Sequence, residues 1–124
     1  MDRTFLLVGA LAGFIGVAFG AFGAHALRGR LSPEMLAVFE TGVRYHVVHA
    51  LAVIAAAWAA HAAPQAAGPR WAGAMFALGV LLFSGSLYLL VLTGVTTWGA
   101  VTPLGGLAFI AGWIALATTR LPRG

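Results

Sequence analysis

The chain has 124 residues, 61% of them hydrophobic and 8% charged, with a mean hydropathy of +0.97. Soluble domains carry about 25% charged residues, so this composition excludes one and leaves an integral membrane protein. All seven basic residues are arginines set singly or in pairs near the ends of apolar runs, facing three acidic residues, and this pattern points to lipid headgroups rather than nucleic acid.

A helix needs roughly 20 residues to cross a hydrocarbon core of about 30 Å, so one transmembrane domain, 1–124, with four crossings fits the length. The first crossing is predicted over 4–26. This run carries no formal charge, and His25 near its end is its only ionisable group. Met1-Asp2-Arg3 and the Ala24-His25-Ala26 pattern also suit a signal peptide, but the run exceeds the apolar stretch of about 7–15 residues such peptides carry. Glycines at 9, 13, 16, 20 and 23 step by 4, 3, 4, 3 and form a seam for close helix packing or, alternatively, for a ligand pressed against bare backbone.

Ser32-Pro33-Glu34 has the order of N-cap, first-turn proline and dipole-complementing acid, which starts the second helix, 33–62. At 30 residues it exceeds the hydrocarbon, so its first two turns are expected in the interface. Gly42 is a candidate bend, with 43–62 fully embedded. Pro64 to Arg70 reads as a loop, and Trp71 as the interfacial anchor of a third helix over 71–93, which Gly94 can terminate. The uncharged connection 95–101 is expected in the headgroup region. Thr102-Pro103 opens a fourth helix, 103–119, in which Gly105, Ala108, Gly112 and Ala115 make a second small-residue seam.

The costly groups concentrate in residues 40–49. Glu40 and Arg44 are spaced i,i+4 and can form an ion pair, either as a clamp at the membrane boundary or as an anion, headgroup or proton site. Tyr45 shares a face with His49, and His46 with His49 are i,i+3. Interhelical hydrogen bonding is the plain role for these groups. A metal would need three or four protein ligands, and His25, His46 and His49, with Glu40, are weak candidates. Haem held by His25 and either His46 or His49 lacks any attachment motif. No cofactor is assigned. His61, just before Pro64, fits a helix-end role. Ser84, Ser86 and Tyr88 can bond across helices; no G-x-S-x-G motif or triad accompanies them, and with no cysteine present the chain leans away from an enzyme.

Four blocks in order resemble a known family: Gly20-Ala21-Phe22-Gly23-Ala24-His25-Ala26-Leu27, Tyr45-His46-Val47-Val48-His49-Ala50-Leu51, Leu82-Phe83-Ser84-Gly85-Ser86-Leu87-Tyr88, and Thr102-Pro103-Leu104-Gly105-Gly106 with Gly112-Trp113. Together they resemble the domain-of-unknown-function 423 family of small inner-membrane proteins, which includes the eukaryotic transmembrane protein 256. The resemblance covers roughly residues 5–117. It implies a four-helix protein of the cytoplasmic (inner) membrane and brings no activity with it.

The expected object is an all-α membrane bundle. Its polar cluster of His25, Glu40, Arg44, Tyr45, His46, His49, Ser84, Ser86 and Tyr88, near one membrane face, is the candidate site for a small ligand, lipid or partner. The first alternative is an accessory subunit docking through its glycine seams onto a larger membrane complex. The second is a transporter or channel built from several copies. Arg3, Arg70, Arg120 and Arg123 on one side against Arg28 and Arg30 on the other, with Arg44 further inside, place both termini in the cytoplasm by the positive-inside rule.

Overall fold

The computed structural model describes residues 3–123. Met1 and Asp2, which the signal-peptide alternative used, lie outside them. Four helices are long and apolar enough to cross a membrane: α1 (Arg3–Leu27), α2 (Pro33–Ala62), α3 (Gly68–Thr93) and α4, whose α-helical part is Thr102–Ala117. Among the described residues there is no strand.

Local chemistry sets the ends. Ser32 Oγ accepts the Met35 N–H at 3.2 Å, Pro33 occupies the first turn, and α2 begins there as expected. Gly94 closes α3 in the left-handed region at φ 71°, where a Cβ would be strained, and its N–H returns to the Leu90 carbonyl. Three expectations need correction. α3 starts at Gly68 rather than Trp71, because Pro69 fits a first turn and Gly68 seats closely against Thr119 and the Ala115 carbonyl of α4. The 95–101 connection contains a 3-10 turn, Thr96–Ala100, and α4 runs from Thr102 to Ala117. Gly42 does not bend α2, which is one continuous helix; a Cβ there would stand 3.0 Å from the Tyr88 ring, so this glycine makes room for a side chain of α3.

α2 packs between α1 and α3, and α3 between α2 and α4. Lipid tails are as apolar as the side chains, so dispersion and hydrogen bonds, not water exclusion, hold these faces together. Small residues are what allow it. On α1, Gly9 lies against Ile54 and the Ala50 carbonyl, and Gly16 against Val47 and His46. On the other side Gly79 meets Phe109, Gly112 meets Phe76, and Gly105 approaches the Phe83 backbone. Both glycine seams therefore close on the chain's own helices. Phe76 and Val53 are fully buried in a core with Ala52, Ala56, Ala72 and Phe109, whereas Phe14, Phe22 and Leu81 point outward.

The helices share one mid-height. Gly16, beside the midpoint of α1, faces His46 and Val47; the midpoint of the 30-residue α2 falls between Val47 and Val48. Gly79, next to the midpoint of α3, meets Phe109, midway along α4.

Candidate functional site

His46 and His49 bracket the middle of α2, so the structure puts them halfway through the bundle rather than near one face. The difference arises because α2 is unbent and α1 pairs with it along its length. Both histidines are buried, at 4% and 5% exposure, yet a helical turn of three residues points them at different neighbours.

His49 faces α3 and α4. Its ring stacks on Phe109 with centroids 3.5 Å apart and planes 9° apart, and Phe76 and Trp113 close around it. Trp113 Nε1–H donates to His49 Nε2 at 3.1 Å. An indole nitrogen only donates, so Nε2 must be the accepting nitrogen. The proton then sits on Nδ1, which donates to the Tyr45 carbonyl at 2.7 Å. Both nitrogens are committed in a neutral ring. Tyr45 stacks over His49 and lies against Phe83, 4.5 Å away.

His46 faces α1 and α3. Its Nδ1 shares a 2.9 Å hydrogen bond with the Tyr88 hydroxyl. Tyr88 sits edge-on to Phe19 of α1, with centroids 4.9 Å apart, and against Phe39. Ser84 Oγ donates to the Gly42 carbonyl at 2.6 Å, one turn from His46. The two irregular stretches within the long helices, π-helical turns at Phe19–Gly23 and Val80–Ser84, begin or end at these residues; such turns are frequent at functional sites. His46 Nε2 has no hydrogen-bond partner and is the one fully buried side-chain polar atom so placed among the described residues. The Ala12 carbonyl of α1 lies beside the ring but outside hydrogen-bonding geometry with that nitrogen.

A groove opens on this side. Its volume is about 380 Å³, and its walls are Leu11, Ala12 and Ile15 of α1 and Val80, Leu81 and Gly85 of α3, with the His46 and Tyr88 side chains among its lining.

The remaining candidates lie apart. Ser86 Oγ donates to the Phe83 carbonyl at 2.9 Å and pairs with Thr102 Oγ1 at 2.6 Å, which ties α3 to the start of α4. His25 is exposed in the last turn of α1, beyond the level at which Gly23 meets Phe39. Glu40 and Arg44 are exposed and do not form the ion pair that their spacing allows. Among the described residues no three His, Cys, Asp or Glu side chains gather as a metal site, so His25, His46 and His49 are not brought together. Trp113 and Phe109 were not among the sequence candidates. The available signal was the aromatic pair Phe109 and Trp113, four residues apart on α4.

Comparison with known proteins bears on the whole chain. The family model described as "Protein of unknown function (DUF423)" matches residues 19–106. The UPF0382 membrane protein YwdK of Bacillus subtilis is 42% identical over 119 residues, covering 96% of this chain and 97% of the relative. The UPF0382 inner membrane protein YgdD of Escherichia coli K12 is 41% identical, covering 98% and 94%. No solved structure matches the chain significantly.

Proposed function

The chain belongs to the DUF423 family of membrane proteins, and we propose that it binds a lipophilic molecule carrying one hydrogen-bonding oxygen in the groove between α1 and α3. The carrying observation is His46 Nε2, buried without a partner beside an otherwise apolar groove of about 380 Å³. Leaving a buried donor or acceptor unmade costs about 1–3 kcal/mol, and a ligand oxygen offsets that cost. Either tautomer serves. If Tyr88 donates to Nδ1, then Nε2 carries the proton and takes a carbonyl; if Nδ1 carries it, Nε2 accepts from a hydroxyl. The apolar walls suit an isoprenoid or acyl chain entering sideways from the bilayer. His25, Glu40, Arg44, Tyr45, His49 and Ser86 have no place in this site. Ser84 and Tyr88 orient it. The arginine balance supports cytoplasmic termini.

Native mass spectrometry of protein released from mild detergent tests the proposal. A retained lipophile of defined mass is expected on the wild type and absent from His46→Phe, with the fold intact. A wild-type spectrum without bound mass, after incubation with lipid extract and quinones, overturns it, and so does retention by His46→Phe.

A further inference from the structure

The outward face of α2 presents a feature that the groove leaves unused. Glu40, Arg44, Val48, Leu51, Ala55 and Trp58 are all exposed, and they step by 4, 4, 3, 4 and 3 along the helix. From Arg44 onward the steps alternate 4 and 3, the pattern of a left-handed helix–helix seam, and Glu40 stands one turn before it. Arg44 stands about one turn from the mid-height of α2, and Glu40 about two turns. Neither pairs with the other or with any other described residue. A charge at this level is unfavourable against lipid and is normally covered by protein or water.

We propose that this face is the interface of a parallel homodimer, in which Glu40 of each copy pairs with Arg44 of the other. A two-fold axis along the membrane normal brings the same face of both copies together. At equal height this axis sets Glu40 beside Glu40 and Arg44 beside Arg44, so the complementarity is diagonal: each Glu40 lies one turn from the opposing Arg44, a height the long arginine side chain spans. Two ion pairs form and four unpaired charges are removed from lipid. Below them Val48, Leu51 and Ala55 mesh at 3- and 4-residue spacing, and the small Ala55 allows the helices to approach. The opposite outcome, Arg44 reaching the headgroups of a monomer, leaves the seam spacing without a use.

The chain has no cysteine, which makes the test clean. Leu51→Cys and Ala55→Cys should cross-link to themselves in native membranes under mild oxidation, while Leu81→Cys, exposed on the groove side, should not. In lipid vesicles, Arg44→Glu and Glu40→Arg should each weaken dimerisation by about tenfold or more, because like charges then face each other. Mixing those two variants should restore a heterodimer to near wild-type strength, which an ion pair within one chain cannot do. A monomeric wild type, dimers unaffected by either reversal, or cross-links from α2 to a different protein each overturn the proposal. If the reversals fail to fold, the cysteine pattern in the otherwise native chain decides alone. The readout is independent of the His46 groove, so failure here leaves the ligand proposal standing, and the converse.

Discussion

Two histidines three residues apart on one helix meet opposite fates. On the α3–α4 side His49 is sealed between Phe109 and Trp113, with both nitrogens used. On the α1–α3 side His46 has one nitrogen bonded to Tyr88 and the other buried without a partner, in a residue that lines the groove. Residue type, helix and depth are the same. What differs is the helix opposite: α4 brings aromatic rings and an indole donor to His49, while α1 brings glycine and alanine to His46. A buried polar group in a membrane bundle is thus either a fastener or a vacancy according to the side chains its neighbour supplies.

The sharpest way to break this contrast is to crowd each side equally. Gly105 lies so close to the Phe83 backbone that a Cβ has nowhere to move, and Gly105→Ala is expected to cost about 3 kcal/mol. Gly13 on α1 faces the Ala50 Cβ from an ordinary 4.0 Å, and Gly13→Ala should be close to neutral. Unfolding in mixed micelles measures both. Equal losses would mean that α1 packs on α2 as tightly at Gly13 as α4 packs on α3 at Gly105.

Removing the rings comes next in size. His49→Leu strips Trp113 Nε1 of its acceptor and breaks the stack on Phe109, with an expected loss of about 2 kcal/mol in the same unfolding assay. His46→Leu should cost less than half of that while abolishing the retained lipophile. The reverse order would turn His46 into the fastener. Trp113→Phe keeps the contact with Phe76 but deletes the hydrogen bond, and about 0.6 kcal/mol is expected, the average for such bonds in a bilayer.

Much of the frame was legible in the chain because its causes are local. Ser32 with Pro33 starts α2, Gly94 stops α3, and apolar runs of crossing length announce the helices, since caps and hydropathy depend on residues a few positions apart. The distinction between the histidines was not. Tyr88 is 42 positions from His46 and Trp113 is 64 from His49, so only the folded chain says which ring finds two partners. Gly42 suggests a bend by propensity and instead admits the Tyr88 ring from another helix. Glu40 and Arg44 satisfy the spacing of an ion pair, yet a spacing states only that two side chains share a face. The π-helical turns left no local mark either; they carry Phe19 and Ser84, whose partners Tyr88 and Gly42 lie on other helices.

The smallest expected effect on stability separates space from packing most cleanly. A Cβ at Gly85 meets nothing within 4 Å, and Gly85 lines the groove. In water Gly→Ala inside a helix gains about 0.5–1 kcal/mol through backbone entropy. The unfolded reference in a bilayer is already helical, so Gly85→Ala should shift unfolding by less than about 0.5 kcal/mol. Enlarging the same side chain keeps that logic while filling the cavity: Gly85→Leu should unfold like the wild type and fail to hold the lipophile. If Gly85→Leu instead destabilises as strongly as Gly105→Ala, the α1–α3 side is as closed as the α3–α4 side. His46 Nε2 would then be a strained nitrogen within a packed core rather than a waiting partner.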